Sequence, residues 1–110
     1  MNLLKLDRRG EAWHFAGTEA RAPWAGAEEA ALGVRPEDID VTADGLLPAV
    51  VDAVEYHGAD SIVAARAGGH PFLVRMPRHA PLVAGDHIRV TWQADHQHLF
   101  STRTGERLTA

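Results

Sequence analysis

The sequence predicts an all-β protein, a small barrel or sandwich of about seven or eight short strands with at most short helical turns. Two observations lead to this prediction. Apolar and polar residues alternate in several segments, most clearly at Ile88, Val90 and Trp92, as in a half-buried strand. Glycine and proline interrupt these segments at short intervals. Positions 25–31 favour helix by composition but are too few for a stable isolated helix, so a loop or single turn is expected there.

The predicted strands are short, and most are separated by glycine. In chain order they are 3–6, 11–15, 49–56, 61–66, 70–76, 86–92 and 106–108. Glycine tolerates the positive φ of tight turns, so each glycine between two such segments predicts a hairpin connection. These turn glycines are Gly10, Gly58, Gly68, Gly69 and Gly105.

Three local departures from simple alternation are informative. The apolar pattern slips within 50–54, which predicts a β-bulge. Pro77 and Pro81 cannot donate to a strand ladder, so a longer loop is expected as far as Gly85. Pro36 suits the first position of a single helical turn, because its fixed φ is already helical.

Length, composition and charge limit the class of protein. The chain has 110 residues, which suits one small domain covering 1–110. It contains no cysteine, which excludes disulfides and thiol catalysis, and no apolar run of the roughly 20 residues that span a membrane. The net charge of −4 opposes binding to nucleic acid or to an anionic membrane. We expect a cytoplasmic protein that does not insert into membranes.

Motifs for catalysis are missing from the sequence. It has no G-x-x-x-x-G-K-[ST] phosphate loop, no G-x-S-x-G elbow and no H-E-x-x-H zinc motif. We therefore expect no catalytic, cofactor or metal site in this chain. His96 and His98 could face one metal ion if they lie on a strand, but their spacing alone is unspecific, so ordinary surface histidines are preferred. Trp24, in a loop flanked by proline and glycine, either covers the core, the preferred interpretation, or contacts a partner.

Six short strings stand out along nearly the whole chain. They are M-N-L-L at 1–4, L-G-V-R-P-E-D-I at 32–39, V-E-Y-H-G-A-D at 54–60, L-V-A-G-D-H-I at 82–88, H-L-F at 98–100 and T-G-E-R-L at 104–108. Taken together and in this order, they resemble the transport-associated OB (TOBE) domain of ABC importer ATPases of the maltose and glycerol-3-phosphate type. Three positions depart from the pattern: His57 and Gln97 replace residues that are usually apolar, and Ser101 replaces a common aspartate.

The resemblance implies an OB-like or MOP-like β-barrel that is catalytically silent. It further implies a regulatory and dimerisation domain, expected here as a fragment without the nucleotide-binding domain, so that ATP and Mg²⁺ would be held by the parent subunit. The implied partners are a second copy through the parent ATPase, the nucleotide-binding domain in cis, a regulatory protein and, indirectly, the membrane permease subunits. The implied location is the cytoplasmic face of the membrane.

The resemblance also assigns residues. We take Arg35, Glu37 and Trp24 as the candidate regulatory or interface residues, because the guanidinium of Arg35 offers two parallel donors to a carboxylate. The alternative, that Arg35 and Glu37 only fix their turn locally, stays open. The fold-defining motif positions are Gly33, Arg35, Pro36, Glu37, Glu55, Gly58, Gly85, Asp86, His98, Phe100, Thr104 and Gly105.

Two other functions are compatible with a barrel of this kind. A sensor of small oxyanions would hold its ligand on main-chain amides near Gly58 or Gly85. A single-strand nucleic-acid binder would need a basic groove with interleaved aromatics, and acidic residues outnumber basic ones 15 to 11 here. The oxyanion sensor is therefore the main alternative.

Overall fold

The computed structural model describes residues 1–108, and ten strands lie within that range. They are β1 Asn2–Arg9, β2 Ala12–Phe15, β3 Ala30–Val34, β4 Asp40–Thr42, β5 Leu47–His57, β6 Asp60–Ala67, β7 His70–Met76, β8 His87–Thr91, β9 His98–Ser101 and β10 Arg107–Leu108. Two 3₁₀ turns, Pro36–Asp38 and Ala94–His96, are the only helical elements in the described part. The all-β prediction is confirmed, with two of the strands only two or three residues long.

The strands form two antiparallel five-stranded sheets. Sheet 1 has the order β10-β9-β3-β1-β2, and sheet 2 has the order β4-β8-β5-β6-β7. The sheets are not joined into one closed hydrogen-bonded ring, and the arrangement is consistent with an OB-like fold. Within residues 1–108, no helix is long and apolar enough to cross a membrane.

The predicted turns and the bulge are present. Gly10, Gly58 and Gly68 have φ values of 63°, 64° and 55°, which a residue with a side chain adopts only with strain. The register of β5 against β6 shifts between Val51 and Ala53, which is the bulge expected from the slipped alternation.

Strand β3 differs from the sequence prediction. The segment 25–31 was expected to be a loop or single turn, but its last two residues, Ala30 and Ala31, begin β3. β3 pairs with β1 on one side and with β9 on the other, so it is a central strand. Its composition has no β-branched alternation, and its extended state follows from this distant pairing rather than from local preference.

Apolar side chains from both sheets form one core. Leu4 and Leu6 point inward from β1, whereas the alternate residues Leu3 and Lys5 are exposed, as the two-residue period requires. The largest fully buried side chains are Leu6, Leu32, Leu47, Val34, Val51, Val63, Val74, Val90 and Ser61. Each fully buried aliphatic side chain contributes about 1.5–3 kcal/mol relative to an exposed one, so this shared core holds the sheets together.

Specific contacts join the two sheets outside the ladders. A Cβ on Gly68 would lie 2.5 Å from the carbonyl oxygen of Ala16, so the backbones of the two turns touch. The side-chain amide of Asn2 donates to the carbonyl of Leu73 at 2.7 Å and accepts from its N–H at 2.9 Å. Asn2 thereby supplies one rung of a ladder to the free edge of β7, which protects an edge open to strand addition.

The long loop after β7 is fixed by side chains of β5 and β6. Ser61 is fully buried, and its hydroxyl donates to the carbonyl of Arg78 at 2.6 Å and accepts from the N–H of Ala80 at 2.9 Å. The ring of Tyr56 packs on that of His79 with centroids 4.6 Å apart. The loop therefore has a defined position beside the hairpin that joins β5 to β6.

Candidate functional site

The turn that carries Arg35, Pro36 and Glu37 follows directly from β3. Arg35 is extended at φ −75° and ψ 147°, as the residue before a proline prefers, and Pro36 starts the 3₁₀ turn. The N–H of Asp38 donates to the carbonyl of Arg35 at 3.0 Å and closes the turn. Proline geometry and this backbone bond are therefore sufficient to hold it.

The charged side chains of this turn point to solvent. Arg35 and Glu37 are both exposed, and the residue at the N-cap, Arg35, makes no side-chain capping bond. Neither side chain forms a hydrogen bond or an ion pair with any residue of the described range 1–108. Their charges are thus available to a partner, and they do not stabilise the turn.

A small groove lies beside Glu37. It has a volume of about 190 Å³ and is lined by Glu37, Asp60, Arg75 and Pro77. Both Nε and Nη2 of Arg75 donate to Oδ2 of Asp60, at 3.0 and 2.8 Å. We call the turn and this groove together the R-P-E surface. Because it carries both charge signs, it suits a polar protein surface better than a bare anion.

The third candidate residue, Trp24, is buried. Its exposed fraction is 9%, and its indole N–H donates to the carbonyl of Glu28 at 2.9 Å. Trp13 makes an equivalent bond to the carbonyl of Gly26, also at 2.9 Å. The two indoles therefore hold the loop before β3 against the core, and Trp24 lies away from the R-P-E surface.

Several motif glycines have a direct structural reason. A Cβ at Gly33 would lie 2.5 Å from Sδ of Met1 and 2.9 Å from Cε2 of Phe100, which both cover the strand there. Gly58 and Gly105 adopt φ values of 64° and 77° in hairpin turns. Gly58 and Gly105 therefore favour a residue without a side chain because of their φ, whereas a side chain at Gly33 would have to displace Met1 and Phe100.

The string around Asp86 forms a closed turn. Oδ2 of Asp86 accepts from the N–H of Val83 at 3.0 Å, and the N–H of Gly85 donates to the carbonyl of Val51 at 2.8 Å. The Gly85 amide is therefore already used within the fold and is not free to hold an oxyanion. In the string at 54–60, Oε2 of Glu55 lies 3.1 Å from Nε2 of His57, and both residues are exposed at the end of β5.

Ser101 performs the hydrogen bonding expected of an aspartate at its position. It is 2% exposed, and its hydroxyl oxygen accepts from the N–H groups of Arg103 and Thr104, each at 3.2 Å. The N–H of Gly105 donates to the Ser101 carbonyl at 2.9 Å. The departure from the family string leaves the closing turn intact, since a hydroxyl and a carboxylate oxygen both accept such bonds.

The two histidines of the H-x-H pair do not share a strand. His96 ends the second 3₁₀ turn, and only His98 belongs to β9, so the two-residue period that would bring them to one face is broken. Nδ1 of His96 lies 3.7 Å from Oδ1 of Asp38. No group of three or more potential metal ligands occurs among residues 1–108.

The comparison with known families covers the string at 32–39 that contains Arg35, Pro36 and Glu37. Residues 32–100 match the family described as the TOBE domain, and the chain belongs to this family. Among curated proteins it is similar to the sn-glycerol-3-phosphate import ATP-binding protein UgpC of several bacteria. It is 43% identical to that of Cupriavidus pinatubonensis over 84 residues, which cover 74% of this chain and 23% of the relative.

A second relative extends the similarity to nearly the whole chain. UgpC of Cereibacter sphaeroides is 34% identical over 111 residues, which cover 98% of this chain and 32% of the relative. UgpC of Cupriavidus necator is 44% identical over 85 residues, covering 76% and 23%. The chain thus spans about a quarter to a third of the length of these relatives, and the resemblance expected from the sequence strings is confirmed.

Proposed function

We propose that this chain is the regulatory and dimerisation domain of an ABC importer ATP-binding subunit, without catalytic activity of its own. The similarity to sn-glycerol-3-phosphate import ATP-binding proteins supports this assignment. ATP and Mg²⁺ would be held by the remainder of such a subunit, because this sequence has no phosphate loop. The subunit would reach the membrane through its permease partners, on the cytoplasmic side.

The observation that carries the proposal is the freedom of Arg35 and Glu37. The turn is held without their side chains, so their charges are not explained by the fold. A rigid turn with one free guanidinium and one free carboxylate can form two charge-assisted bonds to a partner without large ordering cost. Exposed ion pairs contribute about 0.2–1 kcal/mol, whereas truncating one partner of a buried interfacial pair costs about 2–5 kcal/mol.

The first test measures self-association of the 110-residue chain by sedimentation equilibrium. Arg35→Ala is compared with Arg103→Ala, because Arg103 is also exposed and has no ion pair within residues 1–108. We expect a dimer that Arg35→Ala weakens at least tenfold, while Arg103→Ala leaves it unchanged. If the two variants associate with equal affinity, Arg35 is not part of the dimer interface.

The second test addresses the transport role. The chain replaces its matching segment in UgpC of Cupriavidus pinatubonensis, and uptake of glycerol-3-phosphate is measured in cells that lack their own importer. We expect the chimera to restore uptake, and the isolated chain to hydrolyse no ATP. A stable, expressed chimera without uptake would contradict the proposal, as would ATP turnover by the purified chain.

A further inference from the structure

The outer face of sheet 1 carries an apolar groove that the R-P-E surface does not use. Leu3 is 62% exposed and Met1 is 55% exposed, and both lie on this face. The groove has a volume of about 330 Å³ and is lined by Met1, Leu3, Ala31, Phe100 and Gly105. We call it the sheet 1 groove. Side chains as large as leucine at this exposure commonly mark an interaction site when they are clustered.

Two small residues lie within the groove. Ala31 and Gly105 line it between the larger side chains of Met1, Leu3 and Phe100. Ala31 is paired with Lys5 in the register of β1 against β3, and Leu3 is paired with Gly33. Gly33 itself is buried, because Met1 and Phe100 cover it. The depression therefore follows from the small side chain at position 31 and the absence of one at position 105.

Two cations flank the apolar floor. Ala31 is paired with Phe100, and Phe100 with Arg107, so Lys5, Ala31, Phe100 and Arg107 form one row across β1, β3, β9 and β10. Three strand spacings separate the ends of this row, which is about 14 Å. Neither Lys5 nor Arg107 has an ion-pair partner within residues 1–108. The face thus offers an apolar centre between two free positive charges.

We propose that the sheet 1 groove binds a protein segment that presents apolar side chains between two acidic residues. In an amphipathic helix, positions i, i+4, i+7 and i+11 lie on one face, and i to i+11 spans about 16 Å. Carboxylates at i and i+11 would therefore reach the long side chains of Lys5 and Arg107, while apolar residues at i+4 and i+7 cover Ala31 and Phe100. This site is separate from the R-P-E surface and does not depend on the transport role.

Charge distribution argues against two other occupants. A second copy related by a two-fold axis along the strands would place its Lys5 opposite Arg107, cation against cation. With the axis across the strands at Lys5, that lysine would meet its own copy and Leu3 would meet Asp7, which follows on the same face of β1. Asp7 and the net charge of −4 also oppose an anionic membrane, because a lipid surface would cover the entire face with negative charge.

The test uses a defined probe, an 18-residue amphipathic peptide with Glu at i and i+11 and Leu at i+4 and i+7. Its binding to the ¹⁵N-labelled 110-residue chain is followed by amide chemical shifts. A second peptide carries Lys in place of both Glu residues. We expect the Glu peptide to shift the amides of β1, β3 and β9 and the Lys peptide to bind at least tenfold more weakly.

Variants separate the proposed site from unspecific binding. Leu3→Gln should weaken binding of the Glu peptide at least tenfold. The control Val83→Gln, at a similarly exposed side chain (66%) in the loop between β7 and β8, should not. The double variant Lys5→Glu, Arg107→Glu should reverse the preference in favour of the Lys peptide. The proposal is wrong if neither peptide shifts these amides at 1 mM, if Leu3→Gln and Val83→Gln act alike, or if the double variant keeps the original preference. It is also wrong if Leu3→Gln abolishes dimerisation of the chain or its binding to anionic vesicles, because the face would then serve one of those occupants.

Discussion

Replacement of Ser61 by alanine tests how the long loop is held. The hydroxyl of Ser61 is the acceptor for the N–H of Ala80, which is 3% exposed, and the donor to the carbonyl of Arg78. Arg78 is exposed, so its carbonyl can bond to water after the substitution, but the Ala80 amide cannot. A buried amide left without a partner costs about 1–3 kcal/mol, and the second lost bond adds about 1 kcal/mol. We therefore expect Ser61→Ala to lower the free energy of unfolding by about 2–4 kcal/mol.

Urea unfolding measures this loss. With a slope of about 2 kcal/mol/M, the midpoint should fall by roughly 1–2 M. Thr104→Ala is the matched control, because the Thr104 hydroxyl accepts from the N–H of Glu106 at 3.2 Å in an exposed turn, where water replaces it. Its cost should stay below about 1 kcal/mol. If Ser61→Ala costs no more than Thr104→Ala, the burial argument is refuted. Faster exchange of the Ala80 amide with deuterium should accompany the loss of stability.

Three further substitutions test other features. Asn2→Ala removes both hydrogen bonds to Leu73 and should lower the free energy of unfolding by about 1–2 kcal/mol. The uncovered edge of β7 should also let molecules associate, so that the elution volume in gel filtration depends on concentration. A monomeric variant of unchanged stability would contradict this. Gly68→Ala should cost several-fold more than Gly69→Ala in urea unfolding, since both have positive φ but only Gly68 meets backbone within 3 Å; equal costs would disprove the close approach. Ser101→Ala should lower the free energy of unfolding by about 1 kcal/mol, whereas Ser101→Asp should keep the stability of the original chain. If Ser101→Asp destabilises the chain more than Ser101→Ala, the serine does not perform the role of an aspartate.

Strands and turns with a local signal could be predicted from the sequence. Gly10 and Gly58 mark hairpins because the ability to adopt a positive φ is a property of glycine itself. The bulge at Asp52 appears in the sequence as a slip in the alternation of apolar and polar residues. β3 could not be found in this way, because its five residues Ala-Ala-Leu-Gly-Val show no two-residue period. Its extended form depends on pairing with β1 and β9, which are distant in sequence.

The candidate site was predictable in composition but not in environment. The string at 32–39 pointed to Arg35 and Glu37, and the structure places both on the surface. Nothing in the sequence indicated that Asp60 and Arg75 would lie beside Glu37, since that groove depends on how β6 and β7 pack near the turn. The burial of Trp24 was likewise one of two open interpretations, because a loop tryptophan can pack inward or outward until its partners are known.

The motif residues divide into two groups by what they contact. Gly33 gives room to Met1 and Phe100, and Asp86 closes a turn, so these positions are required by the fold. The side chains of Arg35 and Glu37 form no hydrogen bond or ion pair within residues 1–108 and add little to stability, so a binding role is the better physical reason for their charges.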